Sequence, residues 1–292
     1  MRDNRLKSYM MLITSMLIFG TIGIFRRYIP LSSAMLAFSR GILGSVCLIL
    51  FITMKKHKLP KIEKKPLFLL IITGALIGLN WILLFEAYNY TTVATATMCY
   101  YMQPTIVILL SPLVLREKLA MKKLLCAATA IAGMIFISGI LEGSGVGTKD
   151  TMGILCGLGA AALYATVVIL NKKIQIEDAY QKTIIQLSSA AAVLIPYLFI
   201  TENLSEIKLD VLAILMVLVV GIVHTGIAYA LYFGSMKNLK SQSIAVLSYI
   251  DPVFALLLSA LVLSENLTLF GIIGAVLIIG SAMISELGNK EN

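Results

Sequence analysis

Long apolar stretches dominate the chain and recur at nearly regular intervals between short polar segments. Each is close to the ~20 residues that an α-helix needs to cross the hydrocarbon core of a membrane. Strands of a membrane barrel alternate polar and apolar residues, whereas these stretches are apolar on every face. We therefore predict an all-α polytopic membrane protein with ten transmembrane helices, numbered in chain order as spans 1 to 10. The spans cover about residues 8–25, 34–54, 66–88, 92–114, 121–140, 152–170, 182–200, 211–233, 243–263 and 268–285.

The second half of the chain repeats the first. YYMQPTIVILLSPLVLREKL (100–119) and SYIDPVFALLLSALVLSENL (248–267) agree at ten of twenty positions at an offset of 148. The ungapped match extends over 81–138 and 229–286, which indicates a duplicated unit of five helices. Because five is odd, the copies must enter the membrane in opposite directions, an arrangement that alternating-access transporters use. The predicted units are a first repeat over 1–141, a Gly-rich linker over 142–151 and a second repeat over 152–292.

Composition and charge placement agree with this picture. Of the 292 residues, 59% are hydrophobic and only 13% are charged, whereas soluble domains carry about 25% charged residues. If the N-terminus is cytoplasmic, 19 of the 24 Lys and Arg fall in inside segments, as the positive-inside rule requires. The net charge of +9 then reflects topology and contact with anionic lipids, not nucleic-acid binding. We predict an integral protein of the cytoplasmic (inner) membrane with both termini in the cytoplasm.

Several motifs resemble the drug/metabolite transporter superfamily, specifically its EamA type. They are the two matched stretches with a proline in spans 4 and 9, Glu117 and Glu265 before spans 5 and 10, the AYNYTTVATAT run (87–97) and Arg40 in span 2. The resemblance covers about residues 8–286. It implies an inner-membrane carrier whose central cavity is lined by spans 1–4 and 6–9. Characterised relatives include amino-acid and metabolite exporters, so export of such solutes is also implied.

Asp251 is the sharpest single candidate, because it lies about nine residues into span 9. An ionised carboxylate at that depth costs at least ~2.5 kcal/mol on insertion scales. Asp251 could bind a substrate ammonium or carry a coupling proton; alternatively it is protonated, or it caps backbone freed by the next residue, Pro252. Pro104 and Pro252 lie at matched positions inside spans 4 and 9, beside Gln103 and Asp251. A proline inside a helix removes a backbone hydrogen bond, so each is predicted to be a hinge beside the cavity or only to shape packing.

Three further polar residues lie within the apolar spans. Arg40 lies about six residues into span 2, which is deep enough to require a partner. The candidates are Glu86, Asp251 and a substrate carboxylate, although an Arg stem can also snorkel outward. Glu86, near the outer end of span 3, is either an outer cation site or an interfacial residue that reaches water. His224, in the middle of span 8, is either a hydrogen-bonded packing residue or a titrating one.

Aromatic side chains concentrate where spans 3, 4, 8 and 9 would meet. Tyr101 and Tyr249 stand three residues before the two prolines and would flank a cavity. Aromatic walls suit apolar side chains and, by cation–π attraction, ammonium groups. The predicted aromatic set is Trp81, Tyr88, Tyr100, Tyr101, Tyr229, Tyr232 and Tyr249.

The charge count narrows the function. Two acids against one arginine in the interior favour an amino acid or a small amine over a nucleotide sugar or other anionic solute. Segments between the spans are too short for an ATP-hydrolysing domain, so transport must use a gradient, with the proton as the candidate coupling ion. Paired catalytic groups at usable spacing are absent from the sequence, which argues against an enzyme, and a non-transporting receptor or scaffold would have no obvious use for an inverted repeat. The four cysteines have no metal-binding spacing, and no cofactor or metal is predicted.

Overall fold

A computed structural model of the chain describes residues 2–115, 120–138, 141, 147–174, 176, 178–202, 210–236, 239, 243–244 and 247–287. Within these ranges the regular structure is helical, and seven helical segments are long and apolar enough to cross a membrane. The α-helices are α1 (Arg2–Gly20), α2 (Ile22–Tyr28), α3 (Ser33–Met54), α4 (Lys64–Tyr90), α5 (Val93–Tyr100), α6 (Gln103–Leu115), α7 (Met121–Ile137), α8 (Thr148–Asn171), α9 (Ala179–Thr201), α10 (Val211–Leu218), α11 (Ala228–Met236), α12 (Ile250–Val262) and α13 (Leu269–Leu287). Between α10 and α11, Val219–Ile227 form a π-helix, called here the π segment.

Predicted spans 1 and 4 are broken, and predicted span 8 changes its helical register. Span 1 is divided into α1 and α2 at Thr21, and span 4 into α5 and α6 at Tyr101 and Met102. Span 8 is continuous, but its middle third is the π segment. The long helices that remain unbroken correspond to spans 2, 3, 6 and 7.

The prediction that Pro104 and Pro252 lie inside helices is wrong. Pro104 is the second residue of α6 and Pro252 the third of α12. The first turn of a helix has N–H groups without intrahelical partners, so a proline there loses no hydrogen bond. The span is therefore interrupted just before Pro104, whereas Pro112 and Pro196 lie in the interiors of α6 and α9.

The boundary between the two predicted repeats also shifts. α8 begins at Thr148, with Gly147 as its N-terminal flanking residue, so the predicted linker over 142–151 extends too far into the following helix. Residues 142–146 lie outside the described part of the chain, as does Glu117.

Contacts between the helices fix their relative directions. α7 and α13 are antiparallel, because Phe136 near the end of α7 packs against Phe270 at the start of α13, with ring centroids 5.9 Å apart. α4 runs antiparallel to α8, since Asn80 donates a hydrogen bond to the Ala160 carbonyl and Gly153 lies against Thr91. α4 and α9 are parallel, because Gly74 lies against Gln186 and Gly78, four residues later, lies against Ala190, which is also four residues later. A Cβ on Gly78 of α4 would lie 3.0 Å from the Ala190 carbonyl of α9.

The outer surface of the helix assembly is apolar, as the membrane requires. Ile200 is 84% exposed and Leu261 79% exposed, and an outer surface with many exposed aliphatic side chains suits contact with hydrocarbon. Several polar side chains are instead buried: Arg40, Asn80, Gln186, His224 and Thr225. In a body surrounded by hydrocarbon, polar groups placed inward mark a satisfied network or a solute path.

Candidate functional site

Arg40 lies on α3 and is only 6% exposed. Its Nε donates a hydrogen bond of 2.8 Å to the Thr225 hydroxyl, and its Cζ sits 4.3 Å from the centre of the Trp81 ring. Within the described part of the chain, neither terminal nitrogen of the guanidinium has a hydrogen-bond partner. The anchored side chain therefore presents two free N–H-bearing nitrogens, the geometry with which arginine binds a carboxylate through two hydrogen bonds.

Asp251 is the second residue of α12 and is half-buried. Its Oδ2 accepts a hydrogen bond of 2.7 Å from the Tyr101 hydroxyl. Its Oδ1 has no hydrogen-bond partner among the residues that the structure describes. Gly20, the last residue of α1, lies against the backbone carbonyl of Asp251 and leaves no room for a Cβ. One carboxylate oxygen is thus fixed by the protein and the other is open to a ligand.

Arg40 and Asp251 share the interior but do not form an ion pair. They interact electrostatically, yet the ion pairs within 4.0 Å in the described part of the chain are Arg27–Glu265 and His57–Asp178. Of the three partners that the sequence predicted for Arg40, Asp251 and Glu86 do not pair with it, and its Nε bonds the Thr225 hydroxyl; the third, a substrate carboxylate, stays a prediction. A region with one open positive group and one open negative group suits a solute that carries both charges.

Tyrosine rings cluster beside Asp251. The centroids of Tyr101 and Tyr249 are 6.4 Å apart, and Tyr100 lies 6.1 Å from Tyr101 and 5.8 Å from Tyr164. Tyr164, on α8, is absent from the aromatic set predicted from the sequence. A signal for it existed, because FGTIGIFRRYI (19–29) aligns with YATVVILNKKI (164–174) and thereby places Tyr164 opposite an aromatic residue of the first repeat.

A second aromatic group surrounds the end of α1. Tyr229 of α11 packs against Phe19 with centroids 5.3 Å apart and stacks on Phe233 at 5.8 Å. The Tyr229 hydroxyl lies within electrostatic range of both Arg40 and Asp251. Tyr229 therefore connects this group to the charged interior.

The side chains of two other predicted site residues, His224 and Tyr88, bond neighbouring protein groups. His224 in the π segment bonds the Thr21 hydroxyl through Nε2 at 2.7 Å and packs edge-on against Phe25. The Tyr88 hydroxyl lies 3.4 Å from that of Thr97. The contacts of His224 with Thr21 and Phe25 favour its interpretation as a packing residue. Gln103 is half-buried beside Pro104, at the break between α5 and α6.

Glu86 lies apart from this group. It is half-buried near the end of α4, accepts a hydrogen bond of 3.4 Å from Asn89 and lies within electrostatic range of Arg26. The structure does not bring it to Asp251 or Arg40.

A polar network that the sequence did not reveal links α2, α5 and α12. Arg27, in the last turn of α2, pairs with Glu265 at 3.0 Å and donates to the Thr91 carbonyl at 2.7 Å. Glu265 also accepts from the backbone N–H groups of Val93 at 3.0 Å and Ala94 at 3.4 Å, and from the Ser259 hydroxyl. The network ties together α2, the start of α5 and the end of α12. We call these six residues the Arg27–Glu265 network: Arg27, Thr91, Val93, Ala94, Ser259 and Glu265.

A cleft of about 370 Å³ lies elsewhere, between α1 and α11. Its lining is largely apolar and comprises Leu6, Lys7, Met10, Met11, Thr14 and Leu231. It contains none of the residues discussed above, so we regard it as a groove between packed helices and not as the solute site.

Comparison with known proteins places these features in context. The sequence profile described as the EamA-like transporter family matches residues 6–139 and again residues 151–286. "Uncharacterized transporter YxxF" of Bacillus subtilis (strain 168) is 29% identical over 270 residues, covering 91% of this chain and 85% of the relative. A "Probable amino-acid metabolite efflux pump" of Escherichia coli (strain K12) is 29% identical over 237 residues, covering 77% of this chain and 78% of the relative. One solved crystal structure superimposes with a TM-score of 0.67 at 20% identity, over 96% of this chain and 98% of its own, so it shares the fold.

Proposed function

The chain belongs to the EamA-like transporter family, and on that premise we propose that it is a gradient-driven, alternating-access exporter of amino acids or small amine metabolites. The observation that carries the proposal is the pair of open charges in the interior. Among the described residues, Arg40 has two guanidinium nitrogens without a hydrogen-bond partner and Asp251 has one such carboxylate oxygen. An α-amino acid carries the complementary carboxylate and ammonium. The printed name of the E. coli relative, an amino-acid metabolite efflux pump, agrees with this solute class.

Alternating access rests on the inverted repeat. The family profile matches the chain twice, and α7 and α13, which hold equivalent places in the two matches, run antiparallel. Both observations support two five-helix units of opposite orientation, with both termini in the cytoplasm and the protein in the cytoplasmic membrane. Two such units can exchange between inward-open and outward-open states around a site at their interface.

The proton is the coupling ion that we propose, with Asp251 as the group that binds it. An interior carboxylate with one open oxygen can bind a proton in one state and a substrate ammonium in the other. The aromatic rings of Tyr101 and Tyr249 beside it would stabilise the ammonium by cation–π attraction.

Reconstitution tests the proposal directly. Purified protein in liposomes would be challenged on solid-supported membranes with amino acids, polyamines, aromatic amines and nucleotide sugars at two pH values, with radiolabel counterflow to detect electroneutral exchange. We expect saturable transport of an amino acid or amine. Transport should be faster when the proton gradient is directed opposite to the solute gradient, because protons and solute would then exchange. Transport of nucleotide sugars alone would instead indicate a carrier of anionic solutes. Silence in both assays would favour a receptor or scaffold.

Asp251→Asn provides the matched test of the site. The amide oxygen can still accept the Tyr101 hydrogen bond, but the charge is lost, so we expect flux to fall by at least roughly thirty-fold. The control is Asp210→Asn, because Asp210 is an exposed helix N-cap and asparagine caps equally well. Unchanged flux in Asp251→Asn would remove Asp251 from the mechanism.

A further inference from the structure

Thr225 sits at the junction between the π segment and Arg40. It is fully buried, accepts the hydrogen bond from Arg40 Nε at 2.8 Å and donates its own hydroxyl proton to the Val220 carbonyl at 3.1 Å. A threonine in an α-helix usually bonds the carbonyl three or four residues earlier, whereas this bond spans five residues. The direction of the hydroxyl is therefore set by the π-helical register.

Packing around Thr225 is equally specific. Gly44 stands one helical turn after Arg40 on α3, and a Cβ built there would lie 2.9 Å from the Thr225 Cβ. Residues four apart share one face of a helix. The same face of α3 thus supplies both the arginine that bonds Thr225 and the space into which Thr225 fits.

Two contacts hold the guanidinium of Arg40 in place. The Trp81 ring, 4.3 Å from Cζ, supports its face, and the Thr225 hydroxyl fixes the Nε edge. In the described part of the chain, the opposite edge, with its two terminal nitrogens, has no hydrogen-bond partner. A guanidinium held in this way loses little further conformational freedom when it binds a planar carboxylate.

We propose that Thr225 is a positioning residue that orients Arg40 for the solute carboxylate and thereby favours amino acids over the corresponding amines. The proposal rests on the proposed function for its solute. Its structural basis is independent of that function: one buried hydroxyl, oriented by the π segment, fixes the direction of the Arg40 fork.

The single tryptophan of the chain, Trp81, gives a readout that needs no solute. Because the guanidinium lies against its ring, a change in the position of Arg40 should change the fluorescence of the purified protein. We expect Thr225→Val to shift the emission and Thr225→Ser, which keeps the hydroxyl, to restore it. Thr129→Val is the control, because Thr129 is exposed on α7 and bonds only within its own helix. Wild-type emission in Thr225→Val would overturn the positioning role.

Solute selectivity supplies the second readout, measured with L-leucine and isopentylamine, its decarboxylated counterpart. Thr225→Val should weaken the apparent affinity for leucine about tenfold, the size expected for one charged hydrogen bond, and leave that for the amine close to wild type. In an Arg40→Gln background the same change should have no further effect on leucine, because Thr225 acts through Arg40.

Other outcomes separate the two proposals. An equal loss of both probes, or a loss that persists without Arg40, would show that Thr225 only supports the fold and would overturn the inference. If the wild-type protein transported neither probe, the proposed solute class would fail and the selectivity role with it. The fluorescence comparison would still decide whether Thr225 holds Arg40.

Discussion

Two regions of the molecule bring an arginine and an acid together, and they use those charges in opposite ways. In the Arg27–Glu265 network the two groups pair at 3.0 Å, and backbone N–H groups complete the acid's hydrogen bonding. In the interior, Arg40 and Asp251 each bond a neutral hydroxyl and do not pair with one another.

The difference separates charges that hold the structure from charges that serve a ligand. A buried charge without a counterion is costly in a membrane, so a fold that could pair two such groups and does not must gain something else from them. The Arg27–Glu265 network uses its groups for protein contacts at the ends of helices. In the interior, two guanidinium nitrogens of Arg40 and one carboxylate oxygen of Asp251 have no hydrogen-bond partner among the described residues and can bind a ligand.

The largest expected effect that tests this distinction comes from Arg40→Gln. Loss of the guanidinium removes the group that binds a solute carboxylate, so amino-acid transport should fall by roughly thirty-fold or more. Counterflow with radiolabelled amino acid measures it. Arg27→Gln removes the same group from the paired region and should lower thermal stability while solute affinity stays close to wild type. Equal transport losses in both variants would contradict the distinction.

A smaller effect is expected from Gly44→Ala, which adds one methyl group against Thr225. Overpacking of a filled interior costs about 1–3 kcal/mol, and here it should also displace the hydroxyl that anchors Arg40. We expect lower thermal stability together with a change in Trp81 fluorescence. Gly280→Ala is the matched control, since a Cβ at Gly280 would meet no atom within 4 Å. A loss of stability with unchanged fluorescence would show that Arg40 does not depend on this packing.

Glu265→Gln should have a more modest effect, confined to stability. Arg27 is partly exposed, so its ion pair contributes about 1 kcal/mol or less after solvent screening, and the amide oxygen of glutamine can still accept the hydrogen bonds from Val93 and Ala94. Thermal unfolding in detergent should show a small decrease that high salt diminishes. A large drop in solute affinity would instead place the Arg27–Glu265 network in the solute path.

The smallest effect concerns Asp178, which caps α9 and pairs with His57 outside the membrane-spanning segments. Burial raises the pKa of Asp178, but the hydrogen bonds from the Gln181 N–H and from His57 outweigh it and hold the pKa below its ordinary value. A lowered folded-state pKa stabilises the fold above the unfolded-state value of about 3.9, and this stabilisation is lost as the pH falls through the folded-state pKa. In Asp178→Asn, the decrease in the free energy of unfolding on acidification should therefore be smaller by a few tenths of a kcal/mol. Melting curves across acidic pH measure this difference. An identical pH profile in the variant would contradict the assignment.

Much of the architecture could be predicted from the sequence, because the bilayer imposes length and hydropathy on each span. Spans 2, 3, 6 and 7 are single helices as predicted. The breaks at Thr21 and Tyr101 were not predicted, since the surrounding residues are as apolar as any helix interior. The position of Pro104 was interpreted as a kink, whereas it marks the first turn of a new helix.

The candidate site was predicted less completely. Arg40 and Asp251 were identified because charged residues are conspicuous within apolar spans, and Tyr101 because it stands three residues before Pro104. Thr225 was missed because a threonine is unremarkable in a membrane helix, and its role depends on a π-helical register that sequence periodicity does not reveal. The partner of Glu265 was missed for another reason: Arg27 is 238 positions away in sequence, and only the folded chain brings the two together.

The opposite signs of Arg40 and Asp251 have a consequence for the membrane voltage. With the guanidinium charged and the carboxylate ionised, the two groups contribute no net charge to the interior, and a zwitterionic solute adds none. The membrane potential acts with about 2.3 kcal/mol per elementary charge for every 100 mV, so it exerts little force on the solute-loaded site. Once Asp251 has bound the coupling proton proposed above, Arg40 leaves the returning site with one net positive charge, so a collapsed membrane potential should slow net export even while the proton concentration gradient persists.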